Sequence, residues 1–364
     1  MGTLDRRSLN RATLARQLLL ERSELPVVDA VEHLIGLQAQ TPHTWYVGLW
    51  SRLPDLDPVA VGALLTDRRL VRIAVMRSTI HLVSARDAWN LRPLVQQVST
   101  RGFHTNWGKR LPGVDLDAVV AAGRVLVDEQ PRSFTELGKE LGRQWPGEDE
   151  AALAQTIRTF LALVQVPPRG VWGRSGQAKH TTTESWLGSP PAEPLPLSRM
   201  LLRYLAAFGP ASVKDMQTWS GLTRLGEVIE PLRGELPTFR DEHGVELFDL
   251  PDAVRPEPDA PAPPRLLYDF DNLLLSHADR TRVATPEAVA TLRADPHGPI
   301  PRFFLIDGFT AGTWTHTEVK GAATLTLHPF GRLSTSDTAA LEQEAAGLLS
   351  FLSPRAVTAA VTFG

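Results

Sequence analysis

The segment Val71-Arg72-Ile73-Ala74-Val75-Met76, followed two residues later by Thr79-Ile80-His81-Leu82-Val83, is the stretch on which the fold turns. Both halves are apolar and β-branched, and the short gap between them marks a hairpin. Upstream, apolar spacing places helices over 9–21, 27–40, 45–53 and 58–65. Downstream, Ser84 caps a helix over 85–97. Helices followed by a hairpin is the order of a winged helix.

The same order recurs twice. Residues 115–128 read as helix, Ser133-Phe134-Thr135-Glu136 forms a capping box opening a helix to residue 141, and 149–163 is a third helix. Strands at 164–166, 171–173 and 177–182 then enclose a wing loop. A third copy begins with a helix over 197–208, ended by Gly209-Pro210. Ser212 caps a helix through Trp219, Thr223 caps another through Leu232, and 236–240 with 245–250 make a hairpin. Gly221 supplies the tight bend of a helix-turn-helix. Residues 251–264 hold six prolines and form a linker or surface loop. Beyond them, strands at 266–268, 272–275, 303–306, 311–316 and 323–328, a helix over 336–351 and a last strand at 357–363 suggest a small antiparallel sheet or partial barrel. The expected fold is therefore α+β. Three tandem winged helices occupy 1–110, 111–190 and 191–252, and a β-rich region fills 253–364.

Composition narrows the chemistry. The chain has 364 residues and no cysteine, which removes disulfides, thiolate metal sites and a cysteine nucleophile. No apolar run approaches the ~20 residues of a membrane span. The polar start, with Asp5, Arg6 and Arg7, lacks a signal-peptide core, so a cytoplasmic location is expected. Net charge is −3 overall but unevenly spread. Residues 1–110 carry 15 Lys and Arg against 9 Asp and Glu, 111–200 carry 9 against 11, and 201–364 carry 14 against 21. Only the N-terminal part is suited to attract a polyanion. No phosphate loop, dinucleotide fingerprint or thiolate cluster is present, so no cofactor is expected.

Two neutral amides stand together in Leu37-Gln38-Ala39-Gln40-Thr41-Pro42. Pro42 disfavours helical geometry at Thr41 and places the helix end near Gln40. Two readings stand. The segment is an exposed polar helix end, or the chain leaves the helix at Ala39 and both amides point at one ligand. A carboxamide donates and accepts, so such a pair can hold a water molecule from two sides.

Five segments resemble signatures of the AlkZ and YcaQ superfamily of bacterial winged-helix DNA glycosylases: 37–42, Met76-Arg77-Ser78-Thr79-Ile80-His81-Leu82-Val83, Gly170-Val171-Trp172-Gly173-Arg174-Ser175-Gly176, 268–280 and 306–314. The resemblance spans nearly the whole chain. It implies tandem winged helices in a C-shaped protein that grips a DNA duplex. It also implies hydrolysis of the N-glycosidic bond of bulky or crosslinked N7-alkylpurines, in DNA repair or self-resistance to a crosslinking antibiotic. The family motif is Gln, an apolar residue, then a second polar residue. Gln40 in the last place puts this chain on the AlkZ side, and Gln38 and Gln40 become the candidate catalytic residues. No Lys lies near them, so a monofunctional enzyme without Schiff-base chemistry is expected. Crosslinked bases extrude poorly, so little base flipping is expected.

Further candidates concern DNA contact. Arg77, Thr79 and His81 alternate along a strand and share a face, either touching phosphate or supporting the glutamines. His81 between Ile80 and Leu82 also suits a structural, hydrogen-bonded role. Ser276, His277 and Asp279 lie too close in sequence to converge as a triad. His277 and Asp279 are too few for a metal site. That loop is expected to pack, with His277, Arg280 and Arg282 reaching DNA or the core. Arg169, Arg174 and Lys179 suit phosphate contact from a wing, and Lys320-Gly321 tips a hairpin suited to probing a groove. Each is also consistent with an ordinary exposed charge. The competing class is a non-catalytic DNA-binding regulator, which would usually dimerise on two-fold sites. Three units in one chain make a monomer sufficient. A catalytically inert sibling that shields DNA is the third option.

Overall fold

Strand pairing gathers distant segments into one five-stranded antiparallel sheet in the computed structural model, which describes residues 2–295 and 300–364. The strand order is Leu37–Gln38, Ile80–Ser84, Leu70–Ala74, Leu163–Gln165, His180–Thr182. The expected hairpin is its centre, with Ile73 opposite His81 and Arg72 opposite Leu82. Alternation sorts the side chains. Val71, Ile73 and Val83 pack with Val164, Met200, Tyr204 and Phe208 on one face. Leu37, Leu70 and Leu82 join Trp45, Tyr46 and Leu49 on the other.

The helix expected to reach Gln40 ends at His33. Ile35 and Gly36 take φ of 53° and 85°, and the Gly36 N–H donates to the Val31 carbonyl at 2.8 Å. This left-handed ending suits glycine. It also brings the chain so close to Ile80–Ser84 that a Gly36 Cβ would lie 2.8 Å from the Leu82 carbonyl oxygen. The glutamine motif therefore begins in an extended edge strand.

Several other expectations hold in outline. Ser84 caps Ala85–Leu94, Ser133 and Glu136 form the capping box of Phe134–Gln144, and Leu197–Phe208 is helical throughout. Ser212 caps Val213–Ser220, which Gly221 ends at φ 79°. The hairpin Thr238–Arg240 and Glu246–Phe248 gains Gly2–Thr3 as a parallel third strand. Thr223 is no cap: Gln217 Oε1 takes the Leu225 N–H, and the short helix is Gly226–Ile229.

Residues 171–173 form a turn, because their backbone bonds go to Tyr46 and to local partners: Trp172 N–H donates to Tyr46 Oη at 3.0 Å, and Arg174 N–H to the Val171 carbonyl. Asn272–Leu275 is a helical turn, since Asp271 caps it by accepting from Leu273 N–H at 3.0 Å. The C-terminal sheet runs Thr358–Phe363, Ala322–Pro329, Phe309–Val319, Phe303–Ile306, Arg265–Leu266. It is mixed and open: the helix Thr335–Leu352 carries the chain back, so Thr358–Phe363 lies parallel to Ala322–Pro329. The helix Pro286–Ala294 was not anticipated from sequence. The whole is a mixed α+β fold, and among the described residues no helix is long and apolar enough to cross a membrane.

Candidate active site

Gln38 lies opposite His81 at the sheet edge, on the face that looks toward the helices Leu197–Phe208 and Val213–Ser220. Ala39 extends the pairing by donating its N–H to the Ile80 carbonyl at 2.7 Å. Gln40 then replaces backbone with side chain: its Oε1 accepts the Ile80 N–H at 3.2 Å. Gln38 is buried and Gln40 is exposed. The strand puts Gln38 on that face, and Gln40 lies two residues past the strand's end, tied to the neighbouring strand through its side chain.

Both carboxamide oxygens are anchored. Arg77 Nη2 donates to Gln38 Oε1 at 2.7 Å, while its Nη1 donates to the Trp219 carbonyl at the end of Val213–Ser220. Arg77 does not lie on the strand as expected. It sits in the turn Met76–Ser78 with φ 54°, followed by Ser78 at 58°, and this reversal swings its side chain across to Gln38. Thr79 closes the turn, its hydroxyl donating to the Met76 carbonyl at 3.0 Å. Burial pushes the Arg77 guanidinium down to about 10, and the neighbouring Arg280 acts in the same direction. No carboxylate pairs with Arg77 among the described residues.

His81 is buried, and burial first, then the Arg77 charge, pushes it down to about 3. It is therefore neutral near pH 7. Nδ1 carries the proton, since it lies 2.9 Å from the Thr79 carbonyl, and Nε2 keeps its lone pair. A second arginine secures the motif from the opposite face. Arg72 Nη2 donates to the Ala39 carbonyl at 2.6 Å, and its Nε and Nη1 are buried without a partner among the described residues.

Sequence reasoning passed over Arg72, hidden in an apolar run, and Asp269. Asp269 accepts from the Thr41 hydroxyl at 2.6 Å, the Thr44 hydroxyl at 2.5 Å and the Phe270 N–H at 3.1 Å. Two Thr residues close after the glutamines, Thr41 and Thr44, were the available signal, but their partner lies far along the chain.

The remaining candidates are dispersed. Exposed Arg280 is close enough to Arg77 to disfavour its charge, so it borders the site. Of the two alternatives, DNA or the core, His277 and Arg282 take the core: both are buried, His277 Nε2 donates to the Phe208 carbonyl and Arg282 Nη1 to the Pro210 carbonyl, which leaves neither placed to touch DNA. Arg169 donates to the Gly176 carbonyl at 3.0 Å, Arg174 is exposed on the same loop, and Lys179 faces Glu136 at 3.4 Å. Lys320 is exposed at its hairpin tip with φ 51°. None of these four joins the glutamines. No group of three potential metal-ligating side chains occurs among the described residues.

Comparison with known proteins follows this geometry. Residues 31–351 match the family described as DNA glycosylase AlkZ-like. An interstrand DNA cross-link repair glycosylase of Streptomyces sahachiroi is 24% identical, with 92% of each chain covered. The structure of the Streptomyces sahachiroi DNA glycosylase AlkZ superposes with a TM-score of 0.75 at 21% identity, covering 99% of this chain and 100% of that one. That likeness carries the fold, and the family match carries the identity. The chain belongs to the AlkZ-like family of DNA glycosylases.

Proposed function

We propose that this protein hydrolyses the N-glycosidic bond of N7-alkylated purines in duplex DNA, bulky and crosslinked adducts included, as a monofunctional enzyme acting as a monomer. The division into three winged-helix units and a β-rich region, with boundaries at 110, 190 and 252, belongs to the same reading, as do a cytoplasmic setting and a role in crosslink repair or antibiotic self-resistance. One observation carries it: Gln38 in the edge strand and Gln40 just past its end have their side-chain oxygens held by Arg77 and the Ile80 amide.

The chemistry suits uncharged residues. An N7-alkylated purine is cationic, and its departure cancels that charge, so the leaving group is already activated. The sugar becomes oxocarbenium-like and needs water at the anomeric carbon. A carbonyl oxygen has two lone pairs, and each glutamine has one engaged. The two that remain take the two protons of a single water and turn its lone pair outward. Gln38 positions that water, and Gln40 orients it or the sugar. Arg77 and Arg280 offer positive charge to the phosphate backbone, and Arg174 and Lys320 supply outlying contacts.

Release of N7-methylguanine under single-turnover conditions tests this. Gln38→Ala and Gln40→Ala each lower the rate by about 10²-fold, as loss of a preorganised polar group does. Unchanged rates in both variants retire the assignment. Binding of alkylated duplex without any release of base by the unaltered protein would establish a non-catalytic DNA binder instead.

A further inference from the structure

The glutamine motif is uncharged, yet a carboxylate adjoins it. Thr41 follows Gln40 directly, and the hydroxyls of Thr41 and Thr44 grip the two oxygens of half-buried Asp269 at 2.6 and 2.5 Å. All three donors to Asp269 are neutral, and no Lys or Arg forms an ion pair with it among the described residues. Arg302 lies within electrostatic range but stacks on the Trp314 ring at 4.6 Å. The contrast with Asp271, two residues on, is instructive. Asp271 is fully buried and bound at both oxygens by Arg52, at 2.7 and 2.9 Å. One carboxylate of Asp269-Phe270-Asp271 is thus neutralised within the protein, and the other keeps its charge beside the glutamines. Arg77, on Gln38, likewise has no anionic partner among the described residues. Charge of both signs without an ion-pair partner among the described residues thus flanks the motif, Arg77 at Gln38 and Asp269 at Thr41.

We propose that Asp269 is a charge-stabilising residue of the glycosylase reaction, its carboxylate serving the cation that passes from the purine ring to the deoxyribose. This rests on the function proposed above. As the C1′–N9 bond breaks, its electron pair leaves with the purine and cancels the charge there. Positive charge appears on C1′ and the ring oxygen. Water bonds to C1′ through a lone pair, and one of its protons is released to solvent. The glutamines place the water. A fixed negative charge in a partly desolvated site lowers the energy of the sugar cation, which neutral dipoles do less well. Arg77 and the exposed Arg280 meanwhile take the flanking phosphate. This division explains how a motif without an acid serves a reaction that passes through a cation.

The test is binding to two abasic analogues placed in the same duplex. One is a pyrrolidine whose protonated ring nitrogen replaces the anomeric carbon, and the other is neutral tetrahydrofuran. The unaltered protein binds the cationic analogue more tightly. Asp269→Asn reduces this preference about tenfold while tetrahydrofuran affinity stays within about twofold, as expected for lost charge rather than lost structure. Asp269→Glu restores part of the preference. The Thr41→Val, Thr44→Val double variant, which releases the carboxylate without removing it, also lowers the preference and serves if Asp269→Asn does not fold. An unchanged preference in both Asp269→Asn and the double variant overturns the proposal, as does an equal loss of affinity for both analogues. N7-methylguanine release separates the two readings. Release by the unaltered protein with an Asp269-independent preference sinks only the role of Asp269. No release at all sinks the proposed function and this inference together.

Discussion

Gly36 decides where the glutamines point. Its φ of 85° and its 2.8 Å approach to the Leu82 carbonyl leave no place for a methyl group. Gly36→Ala therefore costs about 2 kcal/mol of stability, read from urea unfolding, through backbone strain and steric contact. It also lowers excision, because the displaced strand carries Gln38. A second prediction concerns Arg77, which touches Gln38 Oε1 and the Trp219 carbonyl together. Arg77→Met removes the group that holds the carboxamide in one orientation, and single-turnover excision falls about tenfold. A rate equal to that of the unaltered protein would show that Gln38 is oriented by something else.

Elements bounded by strong local signals were legible in the amino-acid order. The capping box at Ser133 and Glu136 marks the start of Phe134–Gln144, and Gly209-Pro210 marks the end of Leu197–Phe208. Removing the cap by Ser133→Ala costs about 1 kcal/mol in chemical unfolding. Elements decided by partners elsewhere were not legible. The apolar spacing of Val31, Leu34 and Ile35 continues a helical pattern, so Pro42 looked like the stop, whereas packing against Leu82 and Val83 turns the chain at Ile35-Gly36. The apolar Asn272–Leu275 reads as a strand, but Asp271, bound by Arg52, makes it a helical turn. The site divides the same way. Gln38 and Gln40 are visible as a motif of nearby residues, while Asp269 is 228 positions from Thr41 and Arg72 sits unremarked among β-branched neighbours. Chemistry written in adjacent residues can be read directly, but chemistry assembled by tertiary contact waits for the fold.

Across the molecule, imidazoles buried neutral link stability to pH. Burial pushes His81 down to about 3 and His180 to about 4, and lowers His277 as well. The unfolded chain binds protons at these rings below about 6.5, while the folded protein resists until far lower pH. Stability is complete above about 6.5 and is lost as pH falls through this window. By pH 4.5 each of His81 and His180 removes about 2.5 kcal/mol. His180 is buried and stacks on Phe134 at 4.2 Å, so His180→Phe shrinks the difference in unfolding free energy between pH 7 and pH 4.5 by about that amount. An undiminished acid sensitivity would refute the linkage. One distant contact bears on how the protein comes into being. Asn272 Nδ2 donates to the Gly36 carbonyl at 2.7 Å across 236 positions, and Asp269 reaches back to Thr41 and Thr44. A ribosome delivers the glutamines early and their buttress late. The contacts that brace Gly36, Thr41 and Thr44 can therefore form only after residues 269–272 have been made.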